Sequence, residues 1–190
     1  FNSWRRTKVF ERILEALQMR LDAEGHIDGI LVRGWFHGAG LTSGRRGREK
    51  GGSEEPDDHA LGRSRGGFSS KLHLVADGHG LPLAIHVTAG QVHESTQFET
   101  VMSRVRIRQP IGPPRTRPEA MAGDKGYSYP RIRSWLHRHS IQVVIPRRSD
   151  QSPDDGRHRF DPRLYRRRCT IEQCVGWLKE CRRLCTRFEK

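Results

Sequence analysis

The sequence is short of apolar residues, of acidic charge and of cysteine, and each shortage argues against a class of protein. Hydrophobic residues make up 34% of the 190 residues, against about 45–50% in an average globular protein, so we expect part of the chain to stay in solvent. No run approaches the roughly 20 apolar residues of a membrane span, and no signal peptide opens the chain. We therefore expect neither a membrane protein nor a secreted one.

Acidic residues are outnumbered, with 22 Asp and Glu against 35 Lys and Arg and a net charge of +13. A charge of this size favours a polyanionic partner, of which nucleic acid is the commonest. An anionic membrane is less favoured, because no basic amphipathic helix carries Trp or Phe on one face. Most of the positive charge is arginine, whose planar guanidinium suits bidentate contacts to phosphate.

The four cysteines all lie near the C-terminus, at positions 169, 174, 181 and 185. Their spacings do not give the two close pairs that zinc sites use. At helical spacing Cys174, Cys181 and Cys185 share one face, where cysteine acts as a small hydrophobe. The pattern favours buried free thiols in a reducing, cytosolic compartment, over zinc ligation or disulfides.

Apolar spacing predicts a helix over residues 4–20, and β-forming residues predict a strand over 26–34 with Asp28 inside it. Burying Asp28 unpaired would be costly, so it needs a cation, a hydrogen-bond network or the sheet edge. Residues 36–66 hold few large apolar side chains, which is typical of a mobile loop or of a segment that orders on a partner.

The 36–66 loop closes on the run GRSRGG, where Arg63 and Arg65 stand among glycines. Glycine allows the backbone to approach a phosphate closely, so both arginines are candidate contacts to nucleic acid. A solvated flexible linker is an equally good interpretation of this run taken alone.

The second half alternates strands with helices. The sequence first predicts a β-hairpin over 69–90, followed by a helix that begins with a Thr96–Glu99 capping box and runs to about 107. A short strand ending at Asp124 comes next, and then a helix that begins at Ser128 and Pro130. The last elements are a strand at 141–146 and a helix from about 162 to 187. Three antiparallel strands followed by alternating strands and helices predict an α/β mixed sheet flanked by helices, the element order of the ribonuclease-H-like fold. We divide the chain into an N-terminal helix, 1–25, and this domain, 26–190.

Three carboxylates, Asp28, Asp124 and Glu172, stand at positions that this fold uses for function. Asp124 ends a strand, at the place where open α/β sheets gather ligands. His93 and Glu94, which follow the third strand near the edge of this site, are candidates for a supporting role. Carboxylate oxygens suit Mg²⁺ or Mn²⁺. Two such ions would hold the attacking and leaving oxygens of a phosphodiester in line.

A polar stripe on the last helix adds Tyr165, Arg168 and Lys179 to Glu172. At about 100° per residue all four fall within an arc of about 60°, beside the apolar face. Such a stripe on its own is often a solvated helix face with salt bridges. The two aspartates at strand positions favour a functional interpretation.

The run YRRRCTIEQCVGWLK at 165–179, with AGDKGY around Asp124 and HIDGILVR around Asp28, resembles the DDE transposases of bacterial insertion sequences. The chain is similar to the group with the Tyr-Arg-Glu-Lys signature, insertion-sequence families four and five. This group usually has Ser-Thr after the first aspartate, whereas here Gly29 and Ile30 follow. A missing hydroxyl would loosen support of that carboxylate.

The resemblance implies a ribonuclease-H-like catalytic domain that cuts DNA at transposon ends and transfers the strand to target DNA. Asp28, Asp124 and Glu172 would be both the catalytic residues and the ligands of two Mg²⁺ or Mn²⁺ ions, while Tyr165, Arg168 and Lys179 would contact DNA. It also implies double-stranded DNA as partner, a homodimer on DNA and a place in the bacterial cytoplasm on the nucleoid. Two alternatives stay open: a truncated or decayed copy that only binds DNA, and a nuclease of the same fold without strand transfer.

Overall fold

The computed structural model describes six stretches of the chain: residues 9–27, 30–37, 60, 62–64, 67–151 and 160–180. Asp28, Arg65 and most of the 36–66 loop fall outside these stretches, as do Cys181 and Cys185. Predictions that concern these residues stay predictions.

The described strands form a mixed sheet. They are β1 (Ile30–His37), β2 (Gly62–Ser64), β3 (Gly67–Asp77), β4 (Pro82–Ala89), β5 (Ala120–Ala122) and β6 (Gln142–Val144). The strand β3 pairs antiparallel with β1, β2 and β4, while β5 pairs parallel with both β1 and β6. The predicted hairpin and the predicted mixed sheet are confirmed.

Helices cover the sheet. They are α1 (Val9–Ala23), α2 (Phe98–Met102), α3 (Pro130–Arg138), α4 (Pro162–Arg166) and α5 (Cys169–Glu180), with 3₁₀ helices at Glu94–Gln97 and Lys125–Tyr127. The helix α1 is fastened to the hairpin because the Gln18 side-chain amide donates to the backbone carbonyls of Pro82 and Leu83.

The apolar core lies on both faces of the sheet because successive strand residues point to opposite sides. Met121 faces the cluster that holds Phe98 of α2 and Leu136 of α3. Its neighbours Ala120 and Ala122 face the second cluster, which holds Ile171 of α5. The three residues of β5 are therefore buried from both sides, as expected for a central parallel strand.

Two predictions about the first strand and the loop were wrong in their bounds. The strand β1 begins at Ile30, not 26, and continues to His37, inside the predicted loop. The loop also contains β2, in which Arg63 pairs with Phe68 of β3. Trp35, Phe36 and His37 continue the antiparallel pairing with β3, and this pairing outweighs the low apolar content that marked the segment as a loop.

The capping box at Thr96 and Glu99 was also wrong. His93 caps a 3₁₀ helix there, the Thr96 hydroxyl donates back to the His93 carbonyl, and α2 ends at Met102. Beyond it, buried Val105 and Ile107 alternate with exposed arginines. Ile107 then pairs with Arg115 in an isolated bridge, so a period of two was mistaken for a helical one.

The ends of the later elements differ as well. The strand β5 stops two residues before Asp124, which instead caps the 3₁₀ helix that follows. Tyr129, not Ser128, occupies the N-cap of α3, although Pro130 opens the helix as predicted.

The predicted long helix is interrupted after Arg166 and resumes at Cys169. The N–H groups of Arg168 and Ile171 donate to carbonyls three residues back, so the junction winds as a tighter 3₁₀ turn. Cys174 is a buried free thiol, as predicted, whereas Cys169 is exposed. Among the described residues no helix is both long and apolar enough to cross a membrane.

The packing predicts which side chains of α3 contribute to the stability of the fold. Leu136 of α3 is fully buried in the core, whereas Ser134 on the same helix is exposed. Leu136→Ala should lower the free energy of unfolding by about 2–5 kcal/mol through lost contacts and a cavity. Ser134→Ala should change it by no more than about 0.5 kcal/mol. Urea titration measures both, and equal effects would contradict the assignment of the core.

Candidate functional site

The neighbouring strands β5 and β6 end at the same edge of the sheet. They run parallel with Ala122 beside Val144, and the chain leaves them with Asp124 and Arg148 shortly after. In open α/β sheets this edge, outside the carboxyl ends of the strands, is where ligands bind. Asp124 lies in the loop after β5, and Arg148 lies in the loop after β6.

Asp124 is held by the turn that follows it. Its Oδ1 accepts a hydrogen bond from the Gly126 N–H at 2.7 Å, which caps the 3₁₀ helix Lys125–Tyr127. A Cβ at Gly126 would lie 2.8 Å from that oxygen, so a side chain there would push the carboxylate away. The side chain is half-buried, and Oδ2 makes no hydrogen bond to any described residue.

Arg148 is fixed against the same turn by uncharged groups. Its Nε donates to the Lys125 carbonyl at 3.1 Å, and its guanidinium carbon lies 4.4 Å from the centre of the Tyr129 ring. Interaction with the Tyr129 side chain, and then with the charges of Asp150 and Asp124, raises the pKa of Arg148 above its ordinary value. The guanidinium is thus a permanent positive charge beside Asp124.

Partly buried hydrogen bonds connect the loop after β5 with the loop after β6. The Ser128 hydroxyl donates to Gln151 Oε1 at 2.7 Å, and the Gln151 amide donates to the Ser128 carbonyl. Arg133 of α3 donates both to the Ser128 hydroxyl and to the Ile145 carbonyl. The loop after β5 and the loop after β6 are therefore held as one unit.

A buried ion pair supports the loop on the other side. Lys71 Nζ lies 2.6 Å from Glu94 Oε1 with side-chain exposures of only 6% and 21%, and it also donates to the Val92 carbonyl. Burial raises the pKa of Glu94, but hydrogen bonds from Lys71 and from the backbone outweigh it and leave the pKa below its ordinary value. Glu94 begins a 3₁₀ helix that packs against the one after Asp124.

Three members of the polar stripe are in contact despite the break between α4 and α5. Arg168 Nη1 lies 3.2 Å from Glu172 Oε1, and the Arg168 guanidinium carbon lies 5.6 Å from the Tyr165 ring centre. The Glu172 side chain is 65% exposed. Lys179 is exposed further along α5.

That the three carboxylates Asp28, Asp124 and Glu172 come together stays a prediction. Asp28 lies outside the described residues, just before Ile30, which pairs with Ala120 at the start of β5. Asp124 follows the end of that paired segment. Within the described part of the chain no three His, Cys, Asp or Glu side chains are grouped closely enough to hold a metal ion.

Sequence reasoning missed Arg148, its Tyr129 platform and the Lys71 partner of Glu94. One signal for Arg148 was present, because Arg147 and Arg148 follow the apolar strand IQVVIP just as Asp124 follows AMAG. The contact of Lys71 with Glu94 joins residues 23 positions apart. No local pattern reveals such a contact.

Comparison with known proteins gives three findings. Residues 27–190 match the family described as "Transposase DDE domain". Over 152 residues the chain is 34% identical to the "putative transposase for insertion sequence element IS402" of Burkholderia cepacia, covering 79% of this chain and 64% of that protein. A solved structure described as "Mos1 transposase paired-end complex with left transposon end" aligns with 86% of this chain and 59% of its own at 12% identity, with a TM-score of 0.34.

The lowered pKa of Glu94 predicts a pH dependence of stability. Its carboxylate stabilises the fold above the ordinary glutamate value of roughly 4.3, and this contribution is lost as the pH falls through the lower folded value. The free energy of unfolding should therefore fall less steeply between pH 6 and pH 3 in Glu94→Gln than in the wild type. Glu99→Gln is the matched control, because Glu99 faces Arg131 at the surface. If both variants keep the wild-type profile, the ion pair does not support this loop.

Proposed function

The chain belongs to the transposase DDE domain family, and from this membership we propose that it cuts DNA at the ends of an insertion sequence and joins them to target DNA. The observation that carries the proposal is the match over residues 27–190, nearly the whole chain. The relative from Burkholderia cepacia supports an origin in a bacterial insertion sequence. This chain spans about 64% of the length of that relative.

The proposal gives the three carboxylates one role. Asp124 and Glu172 both present carboxylate oxygens to solvent, which fits the hard oxygen ligands that Mg²⁺ prefers. We assign Asp124, Glu172 and Asp28 as ligands of Mg²⁺ or Mn²⁺. Ions bound there would supply a nucleophile at neutral pH and stabilise charge on the phosphate. The chain's own contribution is to hold the Asp124 carboxylate in place through the Gly126 N–H.

The cationic residues are assigned to DNA. Arg168 and Lys179 would neutralise phosphates, and Tyr165 would pack on a base or hydrogen-bond a phosphate, as the Tyr-Arg-Glu-Lys signature implies. Arg63 is exposed on β2, where it can meet a duplex, and Arg65 completes the predicted basic run. The net charge of +13 supports a polyanionic partner.

The same proposal includes the type of fold and the assembly on DNA. The strand order, with β3 between β4 and β1 and with β5 and β6 added in parallel, supports a ribonuclease-H-like arrangement. Strand joining at two element ends calls for two active sites, so we propose a homodimer on DNA, on the nucleoid of a bacterial cytoplasm.

Removing one carboxylate separates cutting from binding. Asp124→Asn keeps the shape of the side chain but removes the charge, so nicking of a plasmid carrying the DNA that flanks the reading frame should fall by at least about 10³-fold with Mg²⁺. Binding of the same DNA without metal should hold or rise slightly, because one repulsive charge is gone. Glu119→Gln, exposed just before β5, is the control and should cut normally.

The outcomes of that assay also separate the alternatives. Cutting that survives in Asp124→Asn would contradict the assigned site. Cut ends that never join a second DNA would indicate a nuclease without strand transfer, and a wild type that binds but never cuts would indicate a chain that only binds DNA.

Arg63 tests the basic run at the hairpin. If its side chain touches a phosphate, Arg63→Gln should reduce the slope of log affinity against log salt by up to about one unit. Arg12→Gln removes the same charge from the exposed side of α1 and should leave the slope unchanged. Equal slopes for Arg63→Gln and the wild type would mean that Arg63 contacts no phosphate.

A further inference from the structure

We propose that Arg148 binds a backbone phosphate of the DNA strand that reaches Asp124, an inference that rests on the proposed function. Arg148 belongs to none of the motifs that the family resemblance supplied. Its assignment comes from its position at the carboxyl edge of β6, next to the turn that holds Asp124.

The contacts of Arg148 orient its guanidinium without neutralising it. The Nε–H donates a hydrogen bond to the Lys125 carbonyl, and the guanidinium carbon lies over the Tyr129 ring. An arginine has five N–H donors, so donors on the terminal nitrogens remain for a ligand. Phosphate oxygens match this fork, because two parallel hydrogen bonds can form at once.

The nearby acidic groups that the structure describes do not form ion pairs with Arg148. Asp124 and Asp150 both act on Arg148 electrostatically, yet within the described residues neither forms an ion pair with it at 4.0 Å or less. By contrast, other cations of the fold are paired directly, including Lys71 with Glu94 and Arg131 with Glu99. A cation kept beside a half-buried carboxylate but left unpaired suits a ligand that carries its own negative charge.

The platform itself is rigid. Tyr129 caps α3 and meets His93 edge to face with ring centres 5.9 Å apart. The loop that carries Arg148 is fastened to Ser128 through Gln151. The guanidinium is therefore positioned before DNA arrives, which reduces the entropy lost when a phosphate binds.

The test measures binding of short duplexes of the element end without metal, in the full chain. Arg148→Gln keeps a donor for the Lys125 carbonyl but removes the charge, and it should weaken binding about tenfold or more at 0.1 M salt with an unchanged unfolding midpoint. Arg148→Lys should recover part of the affinity. The control Arg138→Gln removes an equal charge from the exposed end of α3 and should bind like the wild type.

A scan of the duplex with single neutral methylphosphonates locates the contact. Wild-type affinity should fall at the phosphate that Arg148 holds, and Arg148→Gln should show no further fall at that position. The proposal is overturned if each methylphosphonate that weakens binding of the wild type also weakens binding of Arg148→Gln. It is also overturned if Arg148→Gln binds the unmodified duplex as tightly as Arg138→Gln does. A wild type that never cuts but shows the Arg148-dependent position would overturn the cutting function and keep the phosphate contact.

Discussion

The fold and its site depend on the parallel pairing of β5 with β1 on one side and β6 on the other. The strand β5 is only three residues long, and all three are buried. Alanine on one face lets α5 approach the sheet, while Met121 fills the core on the other. Because β5 and β6 are short and in register, the loops after them start side by side. The positions of Asp124 and Arg148 follow from that register.

The described cations differ in the groups that contact them. Some are bound by carboxylates or by polar groups inside the fold, whereas Arg148 is contacted by neutral groups and can still bind a ligand. Lys71 is buried and paired with Glu94, and Arg115 contacts Asp22. Arg133 meets a carbonyl and a hydroxyl inside the protein. Arg148 alone among these arginines sits at the sheet edge on a carbonyl and an aromatic ring. Orientation by neutral groups leaves its charge available, whereas a carboxylate partner would cancel it.

Sequence reasoning predicted the parts of the fold that local chemistry decides. Local sequence patterns predicted the hairpin over 69–90 that β3 and β4 form, and they predicted the strands at β5 and β6. It failed where the signal was shared or distant. Val105 and Ile107 fit both a helical and an alternating pattern, and only the pairing of Ile107 with Arg115 decides between them. The candidate site was proposed through Asp124, whereas Arg148 could be added only once β5 and β6 were known to be neighbours.

The ion pair between Arg168 and Glu172 contributes little to the stability of the fold, so the proposed ligands of these residues can replace it. Arg168 and Glu172 form an ion pair four residues apart, with Glu172 mostly exposed. Such surface pairs contribute only about 0.3–0.5 kcal/mol, so a phosphate at Arg168 or a cation at Glu172 can displace the other partner at little cost. Each displacement exposes the charge of the residue left behind. Binding of an anion at Arg168 and of a cation at Glu172 would therefore favour each other.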